Sequence, residues 1–286
     1  SDRFGTRQSD RVRFYDKADE GEKTEIGGDY EFGLGPGRLK LIGLHQIRTN
    51  APVESATVDY LGVRARTGSR VNTESESGES ILRGEYSLSD NGGDWQVSLE
   101  GAFNYLDTSG QLSTLSGAGY VVVPLPGTDS RVEERRAEAA LVHGQPLFGN
   151  LSVQASLGAE YSELAQTGAN GLTREFVRPK GFVALSWNSH ANWDATFRVE
   201  RAVGQHDFAD FVTSVTLNND QNQTNGGNPN LVPEQSWDSE LVVNAQTDWS
   251  GPVKLRLYYR AIEDVNDKIL IERIVNGDGS ISILEG

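Results

Sequence analysis

Val253-Lys-Leu-Arg-Leu-Tyr-Tyr-Arg-Ala261 alternates strictly. Val253, Leu255, Leu257, Tyr259 and Ala261 hold the odd positions, while Lys254, Arg256 and Arg260 hold even ones. Successive side chains of a strand point to opposite faces, so this stretch predicts a strand with one apolar and one charged face. The period recurs upstream. Trp193, Ala195, Phe197 and Val199 oppose Asp194, Thr196, Arg198 and Glu200. Trp95, Val97, Leu99, Gly101, Phe103 and Tyr105 oppose Gln96, Ser98, Glu100 and Asn104. Leu151 to Tyr161 alternates in the same way, and Trp237 to Ala245 does so against Asp238, Glu240 and Asn244. Val183, Leu185 and Trp187 alternate with a parity that carries Arg178 and Lys180. Arg131 to His143 shows no clean alternation, and its faces stay unassigned at this level.

Turn signals divide these strands unevenly. Short ones fall at Gly35-Pro-Gly37, Asp90-Asn-Gly-Gly93, Phe148-Gly-Asn150, Asn188-Ser-His-Ala-Asn192 and Ser250-Gly-Pro252. Between them lie long polar stretches, Thr49–Glu79, Asp107–Ser130, Leu164–Thr173 and Gln205–Glu234, read here as loops. Five hairpins make about ten strands, and Val12–Tyr15 and the end of the chain extend the expectation to about 10–12. A soluble sandwich has no reason to gather short turns at one end and long loops at the other. A transmembrane barrel does, with short periplasmic turns and long outer loops.

The five tryptophans fit that layout. Trp95, Trp187, Trp193 and Trp249 flank short turns on the apolar parity of their strands, and Trp237 opens a strand after a long loop. Indole rings favour the membrane–water interface, so these five are candidate members of an aromatic girdle. As ordinary core anchors, four on one face at one end would be a coincidence.

Composition bounds the alternatives. The 286 residues carry a formal charge of −15, with no Cys and no Met. Such acidity argues against nucleic acid, whose phosphates need clustered Lys and Arg. Without Cys there is no disulfide and no thiolate site. No apolar run is long enough for a membrane helix, but strands cross by alternation, which hydropathy does not register. Ser1–Phe14 is charged throughout and does not read as a signal peptide.

Gly226-Gly-Asn-Pro-Asn-Leu-Val-Pro-Glu-Gln-Ser-Trp-Asp-Ser-Glu-Leu241 resembles the GNPxLxPE…E signature of TonB-dependent outer-membrane receptors. The matching residues are Gly227, Asn228, Pro229, Leu231, Pro233, Glu234 and Glu240. Arg178–Trp187 followed by Trp193–Arg201 is similar to the two strands that precede the signature in that family. Together these lie between Arg178 and Leu241, about a fifth of the chain. The resemblance implies an all-β fold, an antiparallel transmembrane barrel segment cut from a barrel of about 22 strands. It implies residence in the outer membrane of a Gram-negative bacterium, with outer-membrane lipid around the barrel. It implies an imported ligand (a scarce bulky nutrient such as a siderophore, cobalamin or oligosaccharide), and energy received through a plug domain that contacts the TonB protein. No plug-like segment is present, and Ile283–Gly286 lacks the terminal aromatic of a complete barrel, so 1–286 is expected to be a partial barrel domain. A passive porin, or a smaller self-closed barrel, shares the alternation. A secreted β-rich adhesion module is a further alternative.

Catalytic and metal signals are weak. His45, His143, His190 and His206 have no zinc-ligand spacing. There is no Gly-x-Ser-x-Gly elbow, and Gly33–Gly37 lacks the Lys and helix of a phosphate loop. Glu74–Glu79 and Asn218–Asn222 lack regular calcium spacing and read as solvated loops, and Asn276–Gly279 reads as a hairpin turn. The chain is expected to be no enzyme and to need no cofactor. The polar parity carries the chemistry instead: Arg178, Lys180, Asp194, Arg198, Glu200, Asp238, Glu240, Lys254, Arg256 and Arg260 are candidate lumen-facing charges.

Overall fold

The computed structural model describes residues 11–285 except 62–64, 91, 118, 125–127, 168–170, 189–191, 206, 218–220, 229, 248–250, 266, 268–269 and 276–280. In chain order the strands are β1 (Arg11–Ala18), β2 (Gly21–Leu34), β3 (Gly37–Asn50), β4 (Val53–Tyr60), β5 (Thr67–Asp90), β6 (Gly93–Ser116), β7 (Gly119–Val123), β8 (Ser130–Phe148) and β9 (Leu151–Thr167). Then come β10 (Leu172–Asn188), β11 (Trp193–Val203), β12 (Ser214–Leu217), β13 (Gln221–Asn225), β14 (Gln235–Thr247), β15 (Gly251–Glu263), β16 (Leu270–Val275) and β17 (Ile281–Glu285). A 3-10 turn at Phe208–Asp210 is the one helical element among the described residues.

Thirteen strands form one sheet in which sequence neighbours pair antiparallel. Three of them prolong a neighbour. β3 and β4 lie end to end along β5, Asn50 facing Ser75 and Val53 facing Asn72, and β2 and β1 lie end to end along them. The Thr73 N–H bonds to Pro52 O across the join, so the ladder continues past a residue that has no N–H of its own. β7 pairs with the far end of β6 beyond the stretch that β8 occupies. Ten rows remain, in a meander with no crossover, which agrees with the lower bound of the expected strand count. β16 and β17 do not lengthen it: they join β12 and β13 in a separate four-stranded sheet. Among the described residues the meander stays open, since β15 and the β1–β2 row do not pair.

Short connections join β2 to β3, β5 to β6, β8 to β9, β10 to β11 and β14 to β15, as the sequence predicts; residues 189–191 and 248–250 of the last two lie outside the described residues, and Gly251 and Pro252 already belong to β15. The tightest depend on glycine: Gly35 and Gly149 have φ of +57° and +56°, which L side chains rarely adopt.

The long polar stretches differ from the expectation. Most of Thr49–Glu79 is β4 and β5, and Asp107–Ser130 contains the end of β6 and all of β7. The acidic Glu74–Glu79 therefore lies within a strand, not a loop. β5 and β6 each run for 24 residues, about 80 Å of extended chain. An apolar layer of about 30 Å uses about half of that length even at a steep tilt. The surplus projects beyond the belt at the end away from the short turns. Its outward face meets water and its other face is covered only in part, where β12 lies on Ala56 and Val71, so its sequence is largely polar and reads as loop. Asn218–Asn222 lies partly, and Asn276–Gly279 wholly, outside the described residues.

Candidate functional site: a charged face opposite an apolar belt

The strand register sorts the side chains into two faces. Arg83 faces Glu100 across β5 and β6, Glu100 faces Glu138 on β8, Glu138 faces Glu160 on β9, and Glu160 faces Arg178 on β10. Further along, Arg198 faces Glu240 and Asp238 faces Arg260. One face therefore carries a charged stripe from β5 to β15. The other carries Leu41, Leu82, Leu99, Leu141, Leu157, Val177, Val183, Phe197, Leu257 and Tyr259, all exposed. Leu157 and Val177 are 74% and 70% exposed at the middle of the sheet, where a soluble protein would cover them.

That apolar face has a defined height. Along β10 it runs outward from Trp187 through Leu185 and Val183 to Val177. Ten residue steps, inclined as barrel strands are, rise about 25 Å, the height of the apolar band in outer-membrane barrels. Trp187 and Trp193 meet edge to face at 4.7 Å at the turn end, and Trp95 stacks on His143 at 3.8 Å. Trp237 lies on the same face at the opposite end, and Trp249 is outside the described residues. Just above the belt, the outward Arg135 and Glu163 approach to 3.6 Å, marking the return to water.

All ten candidate lumen charges share the other face, and most have partners. Lys180 Nζ donates to Glu138 at 2.6 Å and to Glu160 at 2.9 Å. Arg260 forks onto both oxygens of Asp238 at 2.6 and 3.0 Å, and Tyr258 adds a third donor at 3.1 Å. Arg256 pairs with Glu240. Arg198 faces Glu240 in register but bonds Glu200, two residues along its own strand, at 3.0 Å, and its guanidinium lies 3.5 Å over the Phe182 ring. Asp194 accepts from Asn244 at 2.8 Å, Arg178 approaches Asp264 at 3.8 Å, and Lys254 lies opposite Asn244.

Sequence reading missed half of this network. Glu100 binds Arg136 at 2.9 Å and approaches Arg83 at 3.6 Å, and Glu138 and Glu160 hold Lys180. Arg136 and Glu138 belong to β8, whose alternation is blurred because the outward parity also becomes charged at Arg135 once the strand leaves the belt. Pairing β8 against the alternating β6 would have exposed the parity.

The signature string has a physical place on the same face. Phe211 and Val212 pack on Val132, Leu164 and Phe176 of β8 to β10, with Leu231 against them. Gly227 has φ +65°, and a Cβ there would sit 2.6 Å from Phe211 O. The Asn228 N–H donates to Asp210 O at 2.9 Å, and the Asn228 side chain accepts from the Asn230 N–H at 2.9 Å. Arg174 donates to the carbonyls of Asn230 and Leu231 at 2.5 and 3.1 Å. Pro233 is buried, and Glu234 O accepts from the Gly204 N–H. Pro229 lies outside the described residues.

Glu134 sits beneath this packing, above the belt and 7% exposed, with Asn104 donating to it at 3.1 Å. Burial pushes its carboxyl above the usual carboxylate range, against the opposing pull of that hydrogen bond and of Arg136.

No family model matches the chain, and no curated protein matches it. Similar solved structures are the copper transporter OprC (11% identity, TM-score 0.49, 97% of this chain and 56% of that one) and the siderophore receptor PirA from Pseudomonas aeruginosa (10%, 0.42, 98% and 61%). The alcaligin outer-membrane receptor FauA from Bordetella pertussis is another (13%, 0.35, 93% and 54%). The chain thus spans little more than half the length of these structures.

Proposed function

We propose that this chain is part of the wall of an outer-membrane barrel of the TonB-dependent receptor type. In this reading the barrel imports a scarce bulky nutrient, such as a siderophore, cobalamin or oligosaccharide, with energy relayed through a plug domain. The observation that carries it is the pairing of two opposite faces on one sheet. An exposed apolar belt about 25 Å high, edged with tryptophan, backs a stripe of ion-paired charges. Lipid covers the first face. The second is suited to hold a polar plug and to line a wet path, because its charges are already compensated and cost little to keep beside water. The Gly227–Glu234 string supports a receptor over a plain porin.

Two measurements test it. The protein should fractionate with outer membranes, need detergent for extraction and migrate faster unheated than boiled. Uptake of a labelled siderophore, cobalamin or oligosaccharide by cells that make it should stop when the gene for the TonB protein is deleted. Extraction by salt alone would overturn the membrane reading. Uptake that survives the deletion would overturn the energised one.

A further inference from the structure

The largest fully buried side chains among the described residues are Phe211, Leu217 and Val132. Leu217 lies where β12 of the smaller sheet packs on the meander, and Phe211 and Val132 lie where the connection ahead of β12 crosses it. Two of the three belong to the segment joining β11 to β14, and they are buried against the charged face of the meander. Phe211 sits on β8 to β10, whereas Leu217, at the end of β12, packs with Ala56 of β4 and Val71 of β5. The segment thus leaves the sheet beside β14 and crosses its polar face to β4. Polar clasps hold both landings. Gln166 Nε2 donates to Phe211 O at 2.9 Å. The Leu217 N–H donates at 2.9 Å to Glu54, which also approaches Lys17 at 3.3 Å. The returning half braces the outgoing half through Gly227 against Phe211 and the Asn228 N–H on Asp210.

A connection that opens during work is drawn from parts with few buried apolar contacts. This one has the opposite character: it supplies the sheet with its apolar core. We infer that 207–217 is a fixed strap, a permanent part of the lumen wall that stays docked while the barrel works. The ligand path then runs beside it, over the ion-paired face of β11, β14 and β15, and not across β6 to β10. The inference rests on the transporter reading for its meaning. Its test does not.

The chain has no Cys, so a single introduced thiol reports alone. Leu217→Cys and Val71→Cys place it at the far landing, and Leu61→Cys, at a 68% exposed position, serves as the open reference. Intact cells are treated with a membrane-impermeant maleimide, energised or uncoupled, and supplied in turn with a ferric hydroxamate, cobalamin and a maltooligosaccharide. The same labelling is then done on purified protein in detergent. The two buried thiols should react at least about 100-fold more slowly than Leu61→Cys in every condition. Reaction of Val71→Cys within about tenfold of the reference, in protein that still shows heat-modifiable migration, would overturn the strap even if TonB-dependent uptake were intact. Val→Cys changes little volume, so this variant decides the matter if Leu217→Cys does not assemble. Failure of the transporter reading would show separately, as uptake indifferent to the TonB protein with both thiols still protected.

Discussion

Lys180 on β10 reaches past β9 to Glu138 on β8, at 2.6 Å, and meets Glu160 of β9 on the way, at 2.9 Å. One ammonium thus serves two carboxylates on a face where Glu160 has only 7% of its side chain exposed. Removing one partner of such a group leaves uncompensated charge beside a low-dielectric wall, which costs more than the pair contributes. Lys180→Met should lower stability in detergent by about 1–3 kcal/mol near neutral pH, since part of the site is wet. Adding Glu138→Gln and Glu160→Gln should recover most of that loss. Equal losses in the single and triple variants, by denaturant unfolding, would show that the three side chains do not act as a unit.

The apolar belt makes a sharper claim, because nearby residues of one strand should respond oppositely. Leu157 points outward near mid-belt, and Gln154 points to the charged face. Leu157→Arg should cost about 2–4 kcal/mol of folding free energy in lipid, the expense of a guanidinium at mid-bilayer. Gln154→Arg should cost less than about 1 kcal/mol, since it joins a polar wall. Folding titrations into vesicles measure both. Similar costs for the two would remove the basis for the two-faced assignment.

How much of this was legible in the sequence follows from where each strand lies. Inside the belt one parity must be apolar and the other polar, so strands such as Val253–Ala261 announce themselves. Above the belt the outward face meets water and the inward one is apolar only in short patches such as Ala56 and Val71, so the signal weakens, which is why β4, the start of β5 and the end of β6 look like loops. The charged face was legible strand by strand, but not as a network. Arg198 shows why: register sets it opposite Glu240, yet its side chain turns to Glu200 and lies over Phe182. The strap was illegible, because Phe211 and Leu217 find their partners at long sequence separation and no local pattern encodes that.

Charges on β11 and β15 lie along the path that the strap leaves open. Arg198→Glu and Arg256→Glu should each lower uptake by about tenfold or more while leaving heat-modifiable migration intact, since both side chains are partly wet and their pairs add little to stability. Arg256→Glu with Glu240→Arg should restore part of the loss if the pair itself matters. Undiminished uptake in both single variants would mean that this face is only a generic channel wall.

Glu134 gives a dependence on pH. Burial raises its folded carboxyl pKa above the unfolded value, so the folded state holds this proton more tightly. The penalty is absent below the unfolded pKa, grows as pH rises through the folded one, and is constant above it. Glu134→Gln keeps the size and the hydrogen-bond acceptor without the charge. It should therefore be more stable than the parent at pH 7, and the advantage should shrink toward pH 4. Thermal unfolding in detergent at the two pH values reads it. An advantage that is equal at both would mean that the charge is not the cause.

Gly227 ties the signature to the strap. A side chain there meets two obstacles: φ of +65°, which disfavours L residues, and Phe211 O at 2.6 Å from the would-be Cβ. The first costs about 1–2 kcal/mol, and the second forces the two halves of the segment apart. Gly227→Ala should leave the belt and the barrel's migration unchanged, because neither depends on this turn. It should instead open the segment to protease added outside intact cells, with cleavage between residues 205 and 234 at least about tenfold faster than in the parent. Leu61→Ala, at an exposed position just past the end of β4, is the matched control and should not change cleavage there. Unaltered protection in Gly227→Ala would separate the signature from the docking and leave its glycine without a structural reason.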